Sequence, residues 1–341
     1  MAKISKNPQG FGETQPSTQA AKRFLIAFGE KEGDEATLFL EANLEKLDES
    51  LLETLPLVFE DLTREKDRDE RRDIAGIFCN FGNLLQQFPR GIRWLNLELS
   101  IRAYELALQV CTYQFFPQDW AALQMNLGIA YSDRIRGERA ENLELAIVAY
   151  ENALQIFTRD TFPEHWARSQ LNLADAYRQR VQGDPEVNIE QAIKLYHQAA
   201  EVFTQTAYPH LWFANQSSLA AAYLTRATLH ATDPEQLADI NTAISLLREV
   251  LDTADPGAPT PDYIDAQYQL GNALKQRHAL TQDFTDLQQA LEAYTIALNA
   301  ISPEHYDREK NVADAPGNQD NEPIFLSDSA EEIIDVSLQE I

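Results

Sequence analysis

One interval governs this chain. Phe116-Pro117-Gln118-Asp119-Trp120 returns 46 residues later as Phe162-Pro163-Glu164-His165-Trp166, and after another 46 as Tyr208-Pro209-His210-Leu211-Trp212. Inside the unit, Asn126-Leu127-Gly128 matches Asn172-Leu173-Ala174, and Asn142-Leu143-Glu144 matches Asn188-Ile189-Glu190. Tyr131, Tyr177 and Tyr223 keep step, as do Arg134, Arg180 and Arg226. Backward, Arg90-Gly91 and Asn96-Leu97-Glu98 precede Arg136-Gly137 and Asn142-Leu143-Glu144 by the same 46 residues. Forward, after a five-residue insertion in 227–239, Leu270-Gly271 and Arg277 resume the pattern, and Ala290, Tyr294 and Ala297 close a fifth unit. Self-similarity at such a period means one supersecondary unit stacked on copies of itself.

Each unit reads as a helical hairpin. Leu143, Ala146, Ile147, Tyr150, Ala153, Leu154 and Phe157 recur at 3, 4, 7, 10, 11 and 14, one face of an α-helix. Trp120, Leu127 and Tyr131 form the apolar face of the preceding helix, with the small residues Gly128 and Ala130 at the crossing. Pro117 suits a first helical turn, where its missing N–H costs nothing. Gly137 is expected to take a left-handed cap conformation, and Asn142 to cap the next helix with Glu144 in its first turn. A lone hairpin cannot bury its sticky face, whereas a stack can. The fold class is therefore all-α, a solenoid of about five hairpins, with Tyr131 or Tyr150 packed against Gly128, Ala146 and Ala153.

Leu127-Gly128-x-x-Tyr131 followed by Ala146, Tyr150 and Ala153 resembles the tetratricopeptide repeat, with a longer loop inside the hairpin. The resemblance implies a right-handed superhelix over about residues 70–302. The fuller unit is similar to arrays in cyanobacterial multidomain proteins, many of which carry a CHAT-type, caspase-like peptidase after the array. Such a peptidase needs its own His and Cys, and after residue 301 there is one His and no Cys. That activity is not carried over.

Composition narrows the function classes. The 28 Lys and Arg against 54 Asp and Glu give a net charge of −26, which repels nucleic acid and anionic lipid. The longest apolar run, Leu219–Leu224, is far short of the roughly 20 residues of a membrane span. Residues 1–8 have no apolar signal core. Cys79 and Cys111 are the only cysteines, too few for a disulfide framework, and both are expected to be small buried residues on helices. These features lead to the expectation of a soluble cytoplasmic protein that binds neither nucleic acid nor membrane; the resemblance implies a protein partner, and no cofactor is expected. None of the six His pairs with another His or Cys at metal-ligand spacing, and no phosphate loop, dinucleotide fingerprint or Gly-x-Ser-x-Gly elbow is present. No catalytic or metal residue is assigned.

The expected organisation is a disordered segment 1–18, a helical cap 19–69, the array 70–302 and an acidic tail 303–341. After Ile301 the helical pattern stops. Residues 311–341 hold eight Asp and Glu and no Lys or Arg, and 331–341 is an apolar cluster in an acidic frame that suits a docking segment. Residues 322–341 are also expected to fold back onto the Arg row described next or onto the groove, and to occupy it until a partner displaces them.

In arrays of the resembled kind the first helix of each hairpin lines a concave groove. Its expected positions are Cys79, Asn83, Gln86 and Gln87 in the first unit, and Met125, Ile129, Ser132 and Asp133 in the second. The third has Arg168, Leu171, Asp175, Arg178 and Gln179, and the fourth Ser217, Ala221 and Thr225. The fifth has Asp265, Tyr268, Asn272, Lys275 and Gln276. The Lys/Asn carboxylate clamp of some relatives meets Met125, Leu171 and Ser217 at the Lys positions, and only Asn272 and Lys275 echo it. Two polar ladders recur instead. Asn80, Asn126 and Asn172 suit either the backbone of an extended peptide or a bond to a neighbouring helix. Arg134, Arg180, Arg226 and Arg277 suit either the last carbonyls of their helix or an acidic peptide. With Arg178, these are the peptide-binding candidates. The functional expectation is a non-enzymatic scaffold that holds a peptide or helix of a partner. Its alternatives are a regulatory subunit of a separately encoded CHAT-type or other effector enzyme, and an architectural homo-oligomer.

Overall fold

A computed structural model describes residues 16–300, apart from 256 and 258. The expected tail 303–341, its docking segment 331–341 and all but the last three residues of the expected N-terminal segment 1–18 lie outside the described residues. Those described form thirteen α-helices, one short 3-10 turn and no strand. The described residues divide into two compact units, one ending at Ile156 and the other beginning at Phe157.

The first unit opens with α1 (Pro16–Gly29), α2 (Asp34–Glu41), the 3-10 turn Leu44–Lys46 and α3 (Glu49–Thr63). Two hairpins follow, α4 (Arg68–Gln87) with α5 (Arg93–Ala107) and α6 (Pro117–Ser132) with α7 (Arg139–Ala153). The leader helices join the first hairpin through aromatic rings. Phe28 meets Phe81 edge-on at 5.2 Å between centroids, and Phe59 meets Phe78 at 4.9 Å. Asp67 and Glu70 form a reciprocal capping box that fixes the start of α4.

The second unit holds three hairpins. They are α8 (Pro163–Arg178) with α9 (Pro185–Ala200), α10 (Pro209–Leu229) with α11 (Asp233–Leu251), and α12 (Pro261–Thr281) with α13 (Phe284–Ala300). Its apolar centre includes Trp212, Leu224, Ile240, Ile244, Leu247, Val250 and Leu274. Pro opens α6, α8, α10 and α12, as the missing N–H of a first turn permits.

The hairpins close through a tyrosine laid on a glycine. A Cβ added to Gly82 would come within 2.6 Å of Tyr104 Cε1, one on Gly128 within 2.5 Å of Tyr150 Cε1, and one on Gly271 within 2.4 Å of Tyr294 Cε1. The large-small alternation in the sequence is thus a steric requirement at three crossings.

Two sequence expectations need correction at the turns. Gly137 does have positive φ, +82°, matched by Gly91 and Gly183. It lies in the connecting turn, though, because α6 already ends at Ser132. Asn142 is no N-cap: α7 starts at Arg139 behind Glu138, and Asn142 is buried one turn in. Its Nδ2 reaches back to donate to Arg136 O at 2.9 Å, as Asn96 does to Arg90 O at 2.9 Å and Asn188 to Gln182 O at 2.8 Å. A buried amide that satisfies turn carbonyls holds the loop to the helix. At the same place the last two hairpins carry Asp239 and Asp286.

Cys79 lies on α4, but Cys111 sits in the turn after α5, because α5 ends at Ala107. Cys111 is buried and Cys79 half-buried. Burial pushes both thiols up to about 11. At pH 8 the thiolate fraction is then roughly 0.1%. In the native protein both cysteines are expected to react with a thiol-specific disulfide reagent at least tenfold more slowly than free cysteine, and at the free rate in denaturant. Rapid native labelling of either would show that it is more open than placed here.

Candidate functional site

The expected groove positions are backed by tyrosines. On α4, Asn83 is exposed, and its Oδ1 accepts from Asn126 Nδ2 of α6 at 2.8 Å. Tyr104 Oη of α5 shares its proton between Asn83 Oδ1 at 2.9 Å and Gln86 Oε1 at 3.0 Å. Burial raises the Tyr104 phenol far above its ordinary pKa, so it remains a donor at any physiological pH. Of the Asn ladder, then, Asn126 makes a bond to a neighbouring helix, while Asn80 is exposed and Asn172 half-buried.

In the second unit the same position holds charge. Asp175 Oδ1 accepts from Tyr196 Oη of α9 at 2.6 Å, and Arg178 Nε donates to that phenol at 3.3 Å. Arg178 Nη2 lies 3.6 Å from Asp175 Oδ1, which completes a compact three-residue cluster. Burial raises the Tyr196 pKa first, and the Asp175 carboxylate adds to it. Burial works against the Arg178 charge, but Tyr196 and Asp175 outweigh it and raise its pKa. On α12, Asn272 Oδ1 accepts from Tyr294 Oη at 2.8 Å, one helical turn from exposed Lys275.

Sequence reading missed these tyrosines. A signal did exist: Asn83, Asp175 and Asn272 precede Tyr104, Tyr196 and Tyr294 by 21, 21 and 22 residues. Where the first helix has Ala221 instead, the stacking position holds Leu247, so the polar residue and its phenol are lost together. Where it has Ile129, Tyr150 Oη turns to Ser132 Oγ at 3.3 Å.

The Arg ladder is placed differently from either sequence reading. Arg134 forms a two-pronged pair with Glu98 of the preceding hairpin, at 2.7 and 2.9 Å. Arg226 donates to Glu190 at 2.8 Å and, with two N–H groups, to Asp239 at 2.8 and 2.6 Å. Arg277 reaches Asn241 Oδ1 at 2.9 Å and Asp286 Oδ2 at 2.8 Å. Glu98, Glu190 and Asn241 each lie 36 residues before their arginine. Arg180 stands 5.5 Å from the Tyr177 ring centre, as Arg134 and Arg226 stand over Tyr131 and Tyr223 at 5.9 and 5.0 Å. Hence Tyr and Arg recur three apart. Arg134, Arg226 and Arg277 thus join successive hairpins inside each unit, and an acidic peptide would have to compete with these partners.

Among the described residues no group of three or more His, Cys, Asp or Glu is placed to hold a metal. No helix among them is long and apolar enough to cross a membrane.

The family model described as soluble NSF attachment protein, SNAP, matches residues 124–252, less than half of the chain. No curated protein matches the chain in sequence. Among solved structures, one similar chain is that of BtubC (BKLC) from P. vanneervenii, at 15% identity and a TM-score of 0.33, covering 92% of this chain and 98% of that one.

Proposed function

We propose that this protein is a non-enzymatic interaction scaffold whose first helices hold a peptide or helix of a partner protein. One observation carries the reading: Asn83, Asp175 and Asn272 are held in place by buried phenols without forming a catalytic constellation. Preorganised polar groups of this kind lower the ordering cost of binding. The match over 124–252 to a family named for attachment supports a protein partner. Asn80, Asn83, Asn126 and Asn172 with Asp175, Arg178, Asn272 and Lys275 are the contact residues, while Arg134, Arg226 and Arg277 brace their hairpins.

The test is quantitative affinity capture from native extract, with mass spectrometry and a four-site variant, Asn83→Ala, Asn126→Ala, Arg178→Ala and Asn272→Ala. Recovery of the partner is expected to fall about tenfold or more, with the helical circular dichroism unchanged. Equal recovery by both forms would place binding elsewhere. The alternative reading, a regulatory subunit of a separately encoded CHAT-type peptidase or other effector enzyme, rests on the sequence resemblance alone, and the captured protein decides between the two.

A further inference from the structure

Two departures from the repeat meet at one place in the first unit. The first is in the turn that joins one hairpin to the next. That turn recurs as Thr112-Tyr113-Gln114-Phe115-Phe116-Pro117, Thr158-Arg159-Asp160-Thr161-Phe162-Pro163 and Thr204-Gln205-Thr206-Ala207-Tyr208-Pro209. Its backbone recurs too: the amides of Phe116, Phe162 and Tyr208 each donate to the carbonyl of the threonine four residues back, at 2.9 Å. Arg or Gln therefore serves the second place of this turn, and Thr or Ala the fourth. Tyr113 and Phe115 are not needed to shape it, yet they stand there 52% and 48% exposed. Tyr113 meets the half-buried Trp120 edge-on, at 5.2 Å between ring centres.

The second departure is in α4. Pro117, the first residue of α6, is in register with Arg71, so α4 starts three residues early, at Arg68. The Arg68 guanidinium lies over the Phe115 ring, 4.1 Å from its centre. Arg68 is exposed, and among the described residues it forms no ion pair. Acids near it are already committed. Glu70 pairs with Lys66 at 2.7 Å, Asp67 accepts from the Glu70 amide at 2.9 Å, and Asp119 takes Arg72. An exposed cation–π pair adds little to folding. Tyr, Trp and Arg are, however, the side chains that dominate the centres of protein interfaces. Stacking occupies the flat face of a guanidinium and leaves its N–H edge open to a carboxylate.

We propose that Tyr113, Phe115, Trp120 and Arg68 form a second docking surface, distinct from the first-helix groove, for a partner segment that carries a carboxylate next to a large apolar side chain. The apolar side chain lies in the corner between the Tyr113 and Trp120 rings, and the carboxylate takes the N–H edge of Arg68. The net charge of −26 turns away densely charged polyanions. At physiological salt that field is screened beyond about 8 Å, so a single carboxylate responds to Arg68 itself.

Panning a phage library of random dodecapeptides on the full chain tests this, with the variant Tyr113→Arg, Phe115→Thr as counter-selection. That variant imports the side chains of Arg159 and Thr161, which the same turn already carries, and so keeps the fold. Surviving peptides are expected to place Asp or Glu beside a large apolar residue. In fluorescence anisotropy, Arg68→Glu should weaken a labelled survivor at least about tenfold. It should also bind the same peptide better once the acid is replaced by Lys. The four-site groove variant should bind the survivor as the unmodified chain does. No survivor, survivors without an acid, or binding indifferent to Arg68→Glu overturns the proposal. Loss of binding in the groove variant assigns the peptide to the groove, and sedimentation showing a dimer that Tyr113→Arg, Phe115→Thr dissolves assigns the surface to a second copy; either also overturns it.

Discussion

Tyr104→Ala is expected to destabilise the first hairpin by about 4 kcal/mol, the size of a buried aromatic-to-alanine truncation. The ring is fully buried and lies directly on Gly82, where even a Cβ would meet it at 2.6 Å. The facing residue has no side chain to swing into the void, so the cavity persists and its cost sits at the upper end of the usual range. The hydroxyl is lost as well, leaving Gln86 Oε1 and Asn83 Oδ1 without its proton. Tyr104→Phe separates the two contributions: it keeps the ring and should cost about 1 kcal/mol. Repeat arrays need not unfold in one step, so a single melting temperature can average over hairpins. Exchange rates of the α4 and α5 amides are the better measure. Equal losses for the Ala and Phe variants would show that the hydroxyl, not the ring, holds the crossing.

The hairpins were legible in the sequence because each carries its own apolar stripe, and a stripe is local. Leu143, Ile147 and Tyr150 announce a helix without knowledge of any partner. The polar devices were harder for a physical reason. Arg134, Arg180 and Arg226 are visibly in step, but Glu98 is 36 residues away, and that distance becomes a contact only after two helices have stacked. The recurrent Asn-Leu-Glu then resolves into three separate jobs: Asn142 holds a turn, Leu143 fills the core, and the Glu of the motif, seen at Glu98 and Glu190, meets the arginine of a later helix. Asn142 was misread because its composition signal is that of an N-cap; only the helix start at Arg139 reveals that it works backward.

The same motif yields the sharpest test of the bracing row. From the fourth hairpin on, its acid and amide have changed places: Asn188-Ile189-Glu190 becomes Asp239-Ile240-Asn241, and then Asp286-Leu287-Gln288. An arginine needs one carboxylate, and either position can supply it. Arg277 takes its carboxylate from Asp286, whose side chain is only 4% exposed, and an amide oxygen from Asn241. Asp286→Ala should cost about 3 kcal/mol, the low end for breaking a buried pair, because Arg277 retains some access to water. Adding Asn241→Glu places a carboxylate 36 residues before Arg277, the arrangement that joins Glu98 to Arg134 and Glu190 to Arg226. The double variant is expected to recover roughly half of the loss, a coupling well above the few tenths of a kcal/mol seen for independent sites. Asn241→Glu alone, at an exposed residue whose arginine is already paired, should gain less than about 1 kcal/mol. Exchange of the α12 and α13 amides reads all three variants. A double variant no more stable than Asp286→Ala would mean that the arginine row is fixed by position within its own hairpin, and that the 36-residue step joins neighbours without holding them.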